Sequence, residues 1–139
     1  MAEFNAVTGT ATASCTASGT TTALDLHGLV PNAVYTAWNL VFQAPGFDPT
    51  FANLTGLGAL GTPDGTKNVF HSSAAGDAKL SATTPAGPLS MMGSIMGCAL
   101  TEEFEWHIVG AYHIDGQAHG AQVGPDGTAV EQFGFMFKR

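Results

Sequence analysis

The residues best equipped for chemistry are five histidines, and three of them, His107, His113 and His119, fall within one short stretch near the C-terminal third. Carboxylates stand close by at Asp25, Glu105 and Asp115, and further imidazoles at His27 and His71. Neutral imidazole with carboxylate is the donor set of zinc and copper(II) sites. The candidate ligands are therefore His27, His107, His113 and His119, with copper or zinc as the metal. Spacing restricts how they combine. Residues six apart on an extended strand are separated by roughly 20 Å, so His107 and His113 do not share one ion on an unbroken strand. Gly110 permits a bulge between them, but one bulge does not remove that distance. Two combinations are workable: His113 with His119 across Asp115-Gly116-Gln117-Ala118, or His107 with His27 from a neighbouring strand. No His-x-His pair occurs, and no Cys and His spacing matches a structural zinc site.

Other chemistries find less. Met91, Met92 and Met96 offer thioethers to Cu(I), though flexible methionines more commonly fill gaps in a core. Glu102, Glu103 and Glu105 read as the solvated entrance to a strand. No Gly-x-Ser-x-Gly elbow and no Gly-Lys-Ser/Thr phosphate loop is present, and the acidic setting would raise rather than lower the Cys98 thiol pKa. No catalytic residue is assigned; a non-enzymatic reading that requires no cofactor stands ahead of a small β-barrel enzyme using Glu105 or His107 as acid and base. Asn53-Leu54-Thr55 matches a glycosylation acceptor, a short pattern that is common by chance.

The elements that must position these residues are strands. Glu105 to His113 alternates, with Trp106, Ile108, Tyr112 and Ile114 on one face and Glu105, His107, Val109 and His113 on the other, which predicts a half-buried strand over Glu102 to Ile114. Alternating Thr and Ala predict an edge or face strand over Val7 to Thr16, followed by a Ser18-Gly19 turn. Thr20 to Leu29 is the next strand. Val34 to Phe42 is apolar on both faces and belongs in the middle of a sheet. Ala44 to Pro63 reads as a long loop with a short helical turn around Phe51 to Leu57. Strands follow near Asn68 to Ser72, Ala78 to Thr83 and Val130 to Phe137, and Pro85 to Cys98 is irregular. Pro63-Asp64-Gly65-Thr66 and Pro125-Asp126-Gly127-Thr128 carry the turn chemistry of hairpins. Seven or eight strands without a convincing helix predict one domain over residues 1–139, an all-β antiparallel Greek-key β-sandwich, with a small closed β-barrel as the alternative.

Composition narrows the partners. Charged residues make up only 11% of the chain and the net charge is −7, with Lys67, Lys79, Lys138 and Arg139 the only fixed cations. That excludes the basic cluster that nucleic acid or an anionic membrane needs. No apolar run is long enough to form a membrane-spanning helix. A surface polar through Thr, Ser, Asn, Gln and Gly is that of many secreted proteins. Met1-Ala2-Glu3-Phe4 has neither the basic start nor the apolar run of a signal peptide and reads as a mature form behind an added start codon. Cys15 and Cys98 suit a disulfide in an oxidising compartment.

Two segments carry a resemblance. His27-Gly28-Leu29-Val30-Pro31-Asn32-Ala33-Val34-Tyr35-Thr36-Ala37-Trp38 resembles the G-L-x-P-x-x-x-Y-T-x-W segment of a group of secreted bacterial β-sandwich proteins. Glu105-Trp106-His107-Ile108-Val109 followed by His113 resembles their E-x-H-L-V-x-x-x-H-G segment, and Phe70 to Ser81 resembles their middle strands. The group is distantly similar to CHRD domains and to the superoxide-dismutase-like sandwich. The resemblance implies export and an all-β fold. It does not imply dismutase activity, because that enzyme's paired metal histidines are missing, and Ala44-Pro45-Gly46-Phe47 stands where the group often has cysteine.

The sequence thus predicts a secreted, periplasmic or cell-surface binding or assembly domain, whose partners are other copies of itself or an extracellular polymer. Phe4, Phe133, Phe135 and Phe137 near the termini suit strand donation to a neighbour or, more simply, the chain's own core. The alternative is a periplasmic copper- or zinc-binding protein.

Overall fold

The computed structural model describes residues 6–43, 54–87 and 104–138. Among the described residues, eight strands form two antiparallel sheets. They are β1 (Thr8–Thr16), β2 (Gly19–His27), β3 (Val34–Gln43), β4 (Leu54–Ala59), β5 (Val69–His71), β6 (Ala78–Pro85), β7 (Phe104–His113) and β8 (Ala129–Lys138). One sheet has the order β1-β2-β6; the other runs β4-β3-β7-β8, with β5 also paired to β3. Neither sheet closes on itself. The architecture is an open β-sandwich and not the barrel kept as the alternative.

The core lies between the sheets. Leu24, Leu26, Ala78 and Ala82 from the smaller sheet meet Tyr35, Ala37, Val41, Trp106, Ile108 and Phe133 from the larger. A buried polar chain crosses it: Trp106 Nε1 donates to Asn39 Oδ1 at 2.9 Å, and Asn39 Nδ2 donates to Thr84 Oγ1 at 3.1 Å. Each group is satisfied by the next, so three strands are held in one relative placement. Phe70 stacks on Tyr35 at 5.3 Å, and Trp106 stacks on Phe137 at 4.7 Å. β8 pairs along its length with this chain's own β7, and Phe133 is buried in its own core. Phe4 lies outside the described residues.

β3 sits between β4 or β5 and β7, the central place that its two apolar faces predict. Several expectations are corrected. A strand, β4, occupies Leu54–Ala59 within the stretch read as loop and helical turn, because Leu57 and its neighbours pair with β3 across a register shift at Val41/Phe42. Both Pro-Asp-Gly turns carry a left-handed glycine, Gly65 at φ 72° and Gly127 at φ 79°. Neither makes a tight hairpin: the first links β4 to β5, which both pair with β3, and the second ends the long connection from β7 to β8. β7 is also not half-buried. Its outer face carries the buried side chains of His113 and Glu105. Ile114, read as inward, lies beyond the strand's end and is exposed.

Met91, Met92, Met96, Cys98, Glu102, Glu103 and Asn53 lie outside the described residues. Cys15 is on β1, and no free cysteine is found among the described residues. No helix among them is long and apolar enough to cross a membrane.

Candidate metal centre

β3 and β7 pair without interruption from Val34↔His113 to Gln43↔Phe104. The register shift at Gly110/Ala111 affects only the β8 side, where Gln132 is the extra residue. It lets the Gln132 side chain accept the Tyr35 hydroxyl proton while Gly110 leaves room for Phe133, whose ring atoms stand 1.9–2.6 Å from where a Cβ would be. The extra residue thus lies on β8 and not at Gly110 on β7, where the sequence allows a bulge, and β7 stays extended along β3. His107 and His113 remain at opposite ends of the strand.

At its C-terminal end β7 turns sharply. Gly116 N donates to His113 O at 3.1 Å, and Gly116 takes φ 69°, a conformation glycine adopts without steric cost. Asp115 Oδ1 accepts the Gln117 N–H at 3.1 Å, and Asp115 Oδ2 accepts from His119 Nε2 at 2.9 Å. The chain thus folds back over the strand end. His113, Asp115 and His119 each offer one ligand atom, and these atoms all lie within 4.8 Å of one another. Among the described residues no other group of three His, Cys, Asp or Glu ligands lies this close.

The three differ in environment. His113 is fully buried, with Trp38 on one side and the His119 ring on the other at 5.6 Å. Its Nε2 shares a hydrogen bond with Thr36 Oγ1 at 2.6 Å, whereas its Nδ1 has no hydrogen-bond partner. A buried nitrogen left unmatched is costly unless something binds it. In the neutral tautomer with the proton on Nε2, donated to Thr36, the Nδ1 lone pair is free for a metal, and Thr36 fixes the ring. Burial and the His119 ring hold the His113 pKa below its usual value, against the pull of Asp115. Asp115 is held below the usual carboxylate range by the Gln117 N–H and by His119. His119 and Asp115 are only partly exposed at their side chains, 24% each, so the cluster opens to solvent on one side.

Neighbouring loops hold this turn in place. Trp38 Nε1 donates to Ala121 O at 3.1 Å, and Asn68 Nδ2 to Gly120 O at 3.2 Å. Gly124, at φ 99°, lies so close under the His119 ring that a Cβ would stand 2.4 Å from its Cδ2. Thr36, Trp38, Asn68 and Gly124 are supporting residues that sequence reasoning missed. Only the uninterrupted β3–β7 pairing brings the first two to His113, and no local pattern announces that.

The remaining candidates sit elsewhere. His107 is on the outer face of the same strand, bonded through Nε2 to Oε1 of the buried Glu105 at 2.5 Å and packed on Phe42. His27 ends β2 in the other sheet, with Nδ1 bonded to Asp77 at 2.8 Å and Nε2 3.6 Å from Asp25. Asp25 is in turn paired with Lys79 at 2.8 Å, whose hydrogen bond lowers the carboxyl pKa. His107 and His27 lie in different sheets and are not brought together, because β2 and β7 are not neighbours. The sequence pairing of His113 with His119 is the one the fold assembles, with Asp115 added by the turn. No protein-family model matches the chain, and no curated protein is significantly similar to it.

Proposed function

We propose that this chain is an extracytoplasmic metal-binding β-sandwich that takes one zinc or copper(II) ion at His113, Asp115 and His119. The observation that carries the reading is that His113, buried with its Nδ1 unpartnered, is gathered with Asp115 and His119 so that one ligand atom of each lies within 4.8 Å of the others. Two borderline imidazole nitrogens and one hard carboxylate oxygen form a donor set that zinc and copper(II) both accept, and a fourth position is left for water or an exogenous ligand. Metal–ligand distances of about 2.0–2.2 Å require the three side chains to draw together and Asp115 to exchange its imidazole contact for the ion. Binding needs a neutral His113, a state its burial already favours. The low-charge, hydroxyl-rich surface supports export, and a Cys15–Cys98 disulfide belongs to the same reading.

The test is a calorimetric titration of Zn(II) and of Cu(II) into the protein and its His119→Ala variant. One-to-one uptake that the variant loses is the expected result. Equal uptake by both proteins would overturn the reading.

A second reading, association with further copies of the chain, is supported by the open edge of β1. That strand is exposed on nearly all its residues and carries no charge.

A further inference from the structure

The outer strands of the two sheets do not treat their open edges alike. β4 is short and lies beside the register shift in β3. β6 carries Lys79 near one end and Pro85 at the other, and β8 carries Glu131, Lys138 and the bulge at Gln132. Charges, prolines, bulges and shortness are the devices by which sheet edges avoid pairing with other chains. β1 has none of them. It is nine residues long, Thr8-Gly9-Thr10-Ala11-Thr12-Ala13-Ser14-Cys15-Thr16, with β2 on one side and no strand on the other among the described residues. Its whole length pairs with β2 in unbroken register, so its backbone is held extended and its far row of peptide groups is aligned for another strand.

The order of side chains along β1 then selects the occupant. Read about Thr12, the strand is nearly its own reverse: Thr8 matches Thr16, Thr10 matches Ser14, and Ala11 matches Ala13. Two copies laid antiparallel about Thr12 place hydroxyl opposite hydroxyl on one face and, on the other, Ala11 opposite Ala13 and Gly9 opposite Cys15. Thr21 and Thr83 already form such a cross-strand hydroxyl pair on β2 and β6, at 2.8 Å. Electrostatics point the same way. The chain carries a net charge of −7, so two copies repel over most of their surface, and an uncharged strand is where they approach at least cost.

We infer that the partner of β1 is the β1 strand of a second copy, joined antiparallel about Thr12 in a two-fold dimer with a continuous six-stranded sheet, β6-β2-β1 followed by its symmetry mate. Such an interface is isologous, with each residue contacting its reverse counterpart. The inference rests on the association reading and not on the metal centre, which lies on the other sheet.

Thr12 is exposed, so it can be changed without touching the core. Two Thr12 residues facing one another across an antiparallel pair have Cα atoms about 4.5–5.5 Å apart, within disulfide range. Sedimentation equilibrium on the unchanged protein, on Thr12→Lys and on Thr12→Cys, with Ser81→Cys as control, tests the proposal. Expected are a concentration-dependent dimer, its loss in Thr12→Lys with an unaltered circular dichroism spectrum, and an oxidative cross-link in Thr12→Cys but not in Ser81→Cys. A monomer at every concentration up to millimolar would overturn association altogether. A dimer that survives Thr12→Lys and gives no cross-link at Thr12 would overturn the β1 register while leaving association through another surface.

Discussion

The two ends of β7 begin from the same materials and end differently. Each carries an outward-facing histidine on the large sheet with a carboxylate two residues away: Glu105 before His107, and Asp115 after His113. At the Glu105 end both residues stay on the strand, side by side on one face, and bond directly to each other at 2.5 Å. The carboxylate is committed to its neighbour, and the pair caps a packed surface against Phe42. At the His113 end the strand stops, the backbone reverses at Gly116, and Asp115 is carried off the strand to meet His119 instead. His113 keeps a buried nitrogen with no partner. Composition and spacing alone do not separate a satisfied histidine from a ligand; the turn does, by deciding which carboxylate reaches which ring.

This contrast can be broken most strongly at His119. Replacing it by alanine removes one donor and the partner of Asp115, and we expect metal affinity to fall by more than about 100-fold, whereas His107→Ala leaves it unchanged; calorimetry of the two variants side by side checks this. Gly110, between the two ends, is next. Gly110→Ala forces a methyl group into the Phe133 ring and should cost about 1–3 kcal/mol in denaturant unfolding, without discriminating between the ends. Glu105→Ala leaves His107 without the acceptor it meets at the buried Glu105 position. A comparable loss of about 1–3 kcal/mol is expected, with Zn(II) uptake intact, which sharpens the assignment of that end to structure.

A pH series probes the His113 end. The folded pKa of His113 lies below its ordinary value of 6.5, so the unfolded chain binds this proton more readily. Stability that His113 contributes is therefore present above about pH 6.5 and is lost as pH falls from there toward the folded pKa. Thermal unfolding of metal-free protein should show this loss and His113→Gln should flatten it; metal affinity should weaken over the same range. The last test is Trp38→Phe, which removes the Nε1 bond to Ala121 and part of a buried ring: about 1–3 kcal/mol of stability, with a modest weakening of metal uptake as the covering loop loosens.

Much of the strand framework was legible because alternation survives in a single sequence. The doubly apolar run of β3 identified a central strand, and the Thr and Ala alternation of β1 an outer one. β4 was not legible, since Leu54-Thr55-Gly56-Leu57-Gly58-Ala59 has two glycines, weak intrinsic strand preference, and depends on β3 for its pairing. The burial of Glu105 and His113 was hidden for a different reason. Alternation says which residues share a face, but not whether a loop will cover that face.

The sequence by itself determined an all-β chain, the period of its strands and its poverty in charge. It also determined that His113 and His119 were near enough along the chain to meet. These follow from local chemistry, which travels with the residue. Only the tertiary structure decided that His107 spends its bond on Glu105, that Thr36 takes His113 Nε2 and leaves Nδ1 unmatched, and that Gly124 makes room for the His119 ring. Hydrogen bonds and close approach depend on groups distant in sequence being brought within about 3 Å, and that is set by packing between strands and loops, not by either partner alone.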